Sequence, residues 1–158
     1  MIDRREFLGF AAFLALCLAA SAVGGVATAS SVGSWYPTLA KPPFNPPNWI
    51  FAPVWTTLFF MMAIAGWRVW RRSGLRGARS ALTLFALQLV LNMSWSIVFF
   101  GLRSIGAALI EILVLLLAIL ATTVVFWQRD RVAGMLFIPY IVWVSFATVL
   151  NAALWRLN

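Results

Sequence analysis

The chain has 158 residues, 63% of them hydrophobic and 10% charged, with a net charge of +8. A soluble domain is roughly 45–50% apolar and about 25% charged, and a bilayer span takes about 20 residues; the composition therefore excludes a soluble globular protein, and the length holds five or six spans with no separate water-soluble domain. There is no histidine and one cysteine, Cys17, which excludes within one chain an internal disulfide and the usual imidazole and thiolate sets for zinc, iron–sulfur clusters or histidine-ligated haem.

The four acids, Asp3, Glu6, Glu111 and Asp130, are too few and too scattered for a two-carboxylate hydrolytic site or a carboxylate ion cage. The arginines lie between apolar runs, so the positive charge reads as anchoring at an anionic membrane face rather than as nucleic-acid binding. An ionised side chain at mid-bilayer costs at least about 2.5–3.5 kcal/mol, so charge-free runs mark the spans. They predict an all-α fold: one membrane domain over residues 1–158, an integral bundle of five transmembrane helices at about 7–29, 49–70, 80–101, 104–127 and 132–155. No internal repeat is evident.

The first helix follows Asp3-Arg4-Arg5-Glu6, which resembles a twin-arginine export signal with Ala27-Thr28-Ala29 as a cleavage site. Its apolar run exceeds the 7–15 residues of a signal core, which predicts retention as a first span. The loop 31–48 that follows, SVGSWYPTLAKPPFNPPN, holds five of the chain's seven prolines. The Pro42-Pro43 and Pro46-Pro47 pairs restrict the backbone on both sides of each bond, giving a stiff segment that composition reads equally as a rigid connector or as a functional lid.

The second helix carries Pro53 in its first turns, where a missing donor costs little, and ends in Arg68, Arg71 and Arg72. Ser73 and Gly74 begin a short expected hairpin that also holds Gly77. On the third helix Gln88, Asn92 and Trp95 share a face, and on the fifth Tyr140, Trp143, Ala147 and Asn151 do the same. Amides in hydrocarbon need partners, so both faces should point into the bundle, for a ligand or for interhelical hydrogen bonds. The fourth helix carries Glu111, an acid within a span and so a functional candidate by default. Pairing with Arg103, hydrogen bonds from neighbouring helices and hydration near the outer surface are its three alternatives. One buried acid without histidine makes no proton relay.

Five spans put the termini on opposite sides. With the N-terminus in the cytoplasm, Arg4, Arg5, Arg68, Arg71, Arg72, Arg76, Arg79, Arg129 and Arg131 lie inside and only Lys41, Arg103 and Arg156 outside, nine against three, so the positive-inside rule gives N-in and C-out. Of nine tryptophans, Trp35, Trp49, Trp67, Trp70, Trp127 and Trp155 fall at the interfaces. Trp55 and Trp95 fall roughly 10 Å deep and Trp143 nearer about 18 Å. Together with Asn92, Glu111, Ala147 and Asn151 they place an aromatic pocket in the outer half, below the proline-rich loop, suited to a flat and largely apolar ligand.

Three blocks in order, WYPTLAKPPFNPPNWIFAPVWTTLF at 35–59, ALQLVLNMSWSIVFFG at 86–101 and PYIVWVSFATVLNAALWRLN at 139–158, resemble the TspO/MBR family of tryptophan-rich sensory proteins and translocator proteins (peripheral benzodiazepine receptors). The resemblance implies a five-helix bundle, often dimeric, that binds porphyrins such as protoporphyrin IX and haem, and in some members sterols and synthetic isoquinoline or benzodiazepine ligands. Carried over residue by residue, its ligand-binding positions are Tyr36, Pro47, Trp55, Gln88, Asn92, Trp95, Trp143, Ala147 and Leu150. Two positions depart from the animal members: Ala152 stands where their sterol motif has a tyrosine, and Ala107 where they have a pocket tryptophan.

The expected function is therefore binding of tetrapyrroles for sensing, sequestration or transport, with porphyrin as ligand, no cofactor required and no resident metal site. The alternatives are light- and oxygen-dependent porphyrin breakdown, with Trp55 and Trp143 as the reactive indoles, and a transporter of sterols or other small molecules. Expected partners are the tetrapyrrole, membrane lipid with sterol-like molecules, and a second copy of the chain, with Gly101, Gly106 and the small residues Ala11, Ala15, Ala19 and Ala20 as close-packing surfaces. The expected location is a bacterial inner membrane, with an outer membrane as the alternative that the resemblance allows.

Overall fold

The computed structural model describes residues 3–158. Helix α1 is Arg4–Ala29; two short 3-10 turns, Tyr36–Thr38 and Asn48–Ile50, punctuate the loop; α2 is Phe51–Gly77, α3 is Arg79–Ser96, α4 is Ile105–Arg129 and α5 is Arg131–Leu157. A π-helical turn, Ile97–Gly101, ends α3. No strand occurs among the described residues, and all five helices are long and apolar enough to cross a membrane.

The helices differ from the expected spans mainly at the end where α2 meets α3. The expected turn does begin at Gly74, where the helical backbone breaks (φ 66°, ψ 175°); a short helical stretch then runs to Gly77, and a single residue, Ala78, separates it from α3. Arginine is a good helix former and keeps its charged head in water while its stem lies along the helix. The limit of the hydrocarbon, which the apolar run marks, is thus not the limit of the helix. Glycine at position 74 supplies the positive φ that the turn needs.

The half of the bundle nearest this basic end is tightly packed. Phe85 stacks on Phe126 at 5.9 Å and 15°, and Phe137 packs edge-on against both. Gly66 of α2 admits Phe13 of α1 so closely that a Cβ there would sit 2.8 Å from the ring. Trp67 Nε1 donates to the Glu6 carbonyl at 3.0 Å, and Arg71 pairs with the Glu6 carboxylate at 3.1 Å.

Asp130, 2% exposed, joins three helices at this end. It accepts two hydrogen bonds from Arg68 of α2, at 3.0 and 3.3 Å, and an ion pair from Arg72 at 3.2 Å. It also caps α5, accepting from the amides of Val132 and Ala133, while its own amide closes α4 on the Phe126 carbonyl. Burial by itself raises the Asp130 carboxyl, but the hydrogen bonds from Arg68, Ala133 and Val132 and the Arg68 charge outweigh it and hold the group below its ordinary value.

A carboxylate held low in the folded state stabilises the fold above the unfolded pKa of about 3.9, and that stabilisation is lost as the pH falls through the lower folded value. Stability measured by thermal unfolding in detergent should therefore be flat down to about pH 4 with respect to this group and decline below it. Asp130→Ala should cost about 1–3 kcal/mol at neutral pH, from the lost cap and a buried pair discounted for the solvent that reaches both arginines, and should abolish that acid limb.

Candidate functional site

Away from the basic end the helices part around a cavity of about 440 Å³ beneath the loop 31–48, a volume within the range of small-molecule sites. Trp55 on α2, Asn92 and Trp95 on α3, and Trp143, Ala147 and Leu150 on α5 form its walls, with Tyr36 of the loop above. Seven of the nine expected site residues thus meet at one cavity. Trp55 packs edge-on against Tyr140 at 6.2 Å, and Trp143 against Phe51 at 5.9 Å, so the aromatic faces are held in place by other rings.

The other two expected residues, Gln88 and Pro47, do not line the cavity. Gln88 is fully buried one turn below Asn92, where its amide nitrogen donates to Met62 Sδ at 3.6 Å and its oxygen accepts from the Tyr140 hydroxyl at 3.0 Å. Sharing a helix face with Asn92 placed it on the right side of α3 but one turn too deep. Pro47 is exposed on the outer surface, where its carbonyl accepts from the Ile50 amide at 3.1 Å and opens the turn into α2.

Several polar side chains at the cavity are paired within the protein. Asn92 Nδ2 donates to the Tyr140 hydroxyl at 2.8 Å, which in turn donates to Gln88, a buried polar layer beneath the cavity. Trp95 Nε1 donates to Asn151 Oδ1 at 3.1 Å, and Asn151 Nδ2 donates to the Ile105 carbonyl at 2.9 Å, tying α3, α5 and the start of α4. Among the fully buried side-chain polar atoms of wall residues, the Trp143 indole Nε1 has no partner among the described residues. A donor in that state costs free energy unless an acceptor arrives.

The loop is a cover bolted at its ends. Ser31 Oγ donates to the Phe100 carbonyl at 2.7 Å and accepts from Arg103 Nε at 3.3 Å. Asn158 holds Ala40 from both sides, accepting from its amide and donating to its carbonyl, each at 3.0 Å. Tyr36, 3% exposed, donates from its hydroxyl to Asn45 Oδ1 at 2.7 Å, and Lys41 Nζ lies 5.0 Å from its ring centre. Burial pushes the Tyr36 phenol up, with the Asn45 hydrogen bond offsetting only part of the shift, so it stays a neutral donor. The loop thus covers the cavity, with Val32, Tyr36 and Asn48 on its lining.

Glu111 does not line the cavity, and both its oxygens are buried without a partner among the described residues. Pairing with Arg103, one of the three alternatives for it, does not form: Arg103 (φ 54°) turns its guanidinium to Ser31. Trp35, expected as an interfacial anchor, packs against Phe99 at 5.8 Å. Gly106, expected as a surface for a second copy, is spent within the chain: a Cβ there would lie 3.0 Å from Trp155 Nε1.

Sequence reasoning missed the α1 wall, made of Ser21, Gly24, Gly25 and Thr28, because small residues on an apolar helix read as packing surface. It also missed Asn158 and Ser31, since no local pattern signals a side chain that bonds a backbone 118 or 69 residues away.

A model of the TspO/MBR family matches residues 13–156. The chain is 39% identical to tryptophan-rich protein TspO of Chlorobaculum tepidum, over 98% of each chain. It is 38% identical to protein CrtK of Rhodobacter capsulatus, over 94% of this chain and 92% of that one. It is 40% identical to the translocator protein of Homo sapiens, over 78% of this chain and 75% of that one.

Two variants separate the buried polar layer from the lid. Tyr140→Phe strands the Asn92 donor and the Gln88 acceptor in the core and should lower stability by about 1–3 kcal/mol, read as a fall in Tm. Asn158→Ala should leave Tm close to wild type but speed amide hydrogen exchange across residues 36–45, as expected of a cover that has lost one bolt.

Proposed function

The chain belongs to the TspO/MBR family and is a multi-pass integral membrane protein, and from that premise we propose that it binds tetrapyrroles such as protoporphyrin IX in the cavity under its lid, in order to sense, sequester or move them. The observation that carries this reading is the cavity's composition: aromatic walls from three helices and few polar groups. A flat macrocycle stacks on such walls. Relatives are named for sensing and for translocation, functions that both begin with reversible capture of a ligand. No resident cofactor is needed for capture. Membrane lipid and sterol-like molecules are further candidate occupants, and a homodimer is the proposed assembly.

The proposed orientation places the basic end, with Arg68, Arg72 and Asp130, in the cytoplasm and the lid outside, in a bacterial inner membrane. Cysteines introduced at Ser34 and at Arg76 test it: an impermeant thiol reagent added to intact cells should label the first and spare the second.

Titrating the detergent-purified protein with protoporphyrin IX should quench tryptophan fluorescence saturably. Ala147→Phe fills space on the α5 wall and should weaken binding at least tenfold, about 1.4 kcal/mol. Equal, unsaturable quenching of both proteins would mean partitioning into the micelle and would remove the reading. Trp55 and Trp143 face the same cavity, so a porphyrin spectrum that bleaches on illumination in air, and not in Trp55→Phe or Trp143→Phe, would favour turnover over capture.

A further inference from the structure

The two walls of the cavity that face each other across α1 and α2 are built differently from the rest. At the basic end these helices are zipped together by the Glu6–Arg71 pair, the Trp67 hydrogen bond and the close approach of Phe13 to Gly66. Toward the lid they part. There α1 leans on α3 instead, with Gly24 so near Ser96 that a Cβ would lie 3.2 Å from its hydroxyl, whereas a Cβ on the adjacent Gly25 would meet nothing within 4 Å. Gly25 and Ala29 on α1, and Ala52 and Thr56 on α2, line the cavity and are also exposed on the outside of the bundle. A residue that is both is the edge of an opening.

The chemistry of that edge suits hydrocarbon. Thr56 Oγ1 donates to the Ala52 carbonyl and Thr28 Oγ1 to the Gly24 carbonyl, each at 2.8 Å, so neither hydroxyl requires water and each threonine can present its methyl group. The water-facing side is the reverse: Ser31 is bonded to Phe100, Tyr36 to Asn45 and Asn158 to Ala40. Asn48, exposed at the foot of α2 and also on the cavity wall, stands at the top of the gap, level with the lid, where a polar edge of a ligand would remain near the headgroups.

We infer that the cavity fills and empties sideways, from the lid-side leaflet of the bilayer, through a gap between α1 and α2 edged by Gly25, Ala29, Ala52 and Thr56, and that its ligands are flat amphiphiles already dissolved in the membrane. The inference rests on the binding reading above. Under it, the lid holds the ligand against water and the gap sets the rates of capture and release. The width of the gap, which no side chain at position 25 narrows, selects for molecules thin in one dimension.

The test is kinetic. Wild type, Gly25→Phe, Thr56→Phe and Asn158→Ala, each checked for a monodisperse elution profile and a Tm near wild type, are reconstituted in phosphatidylcholine vesicles. These are mixed with vesicles carrying protoporphyrin IX, and tryptophan quenching follows uptake and release. Either phenylalanine across the gap should slow association at least tenfold and slow release in step. Asn158→Ala, which loosens the lid, should not raise either rate. Wild-type rates in both phenylalanine variants, weaker binding at an unchanged association rate, or faster exchange in Asn158→Ala would each overturn the lateral route while leaving the binding reading in place. Absence of saturable quenching in wild type would instead sink the binding reading, and the route with it. Two gap positions on different helices keep the test standing if one variant fails to fold.

Discussion

A polar group in hydrocarbon has no water to turn to, and it must find its partner inside the protein. In this chain that constraint decides which helix faces meet. Tyr140 is the centre of it: its hydroxyl receives from Asn92 and gives to Gln88, so a single atom on α5 pairs two residues a turn apart on α3. The contact sets the rotation of both helices about their axes, and with it the direction in which Trp95, Trp143 and Ala147 face. One layer toward the lid, the Trp95–Asn151–Ile105 chain repeats the arrangement and adds α4. The aromatic cavity is the space left between helices whose orientation these hydrogen bonds have already set.

The bundle divides along its length into a half that holds and a half that opens. At the basic end, Asp130 gathers Arg68 and Arg72 onto the junction of α4 and α5 and caps α5 in the same stroke. The layer of Phe85, Phe126 and Phe137 above it leaves little free volume. With that end fixed, the other can afford unfilled space and an unpaired indole donor, both of which cost stability on their own. Filling that space would recover part of the cost.

The lid follows the same division. Its prolines limit the conformations it can visit, so few further contacts are needed to hold it. Ser31 at one side and Asn158 at the other supply them, the second drawn from the far end of the chain. Glu111, an acid without a partner among the described residues, remains buried among the helices outside the cavity.

Much of this was legible in the sequence. The absence of charge over five long runs determined the number of spans, because the cost of burying charge in a bilayer is paid residue by residue and needs no tertiary information. Spacing on α3 and α5 determined which side chains share a face, since helical periodicity is local, and three family blocks pointed to the same residues. What the sequence could not determine was depth and contact. Gln88 lies on the same face as Asn92 yet sits beneath the cavity rather than on its wall, and Gly25 has the composition of a packing surface yet lines the cavity. Helices α1 and α2 pack closely at the basic end and both line the cavity at the other, and only their packing against the other helices decides which. The relative height and splay of helices depend on contacts between residues distant in sequence, and local pattern carries no record of them.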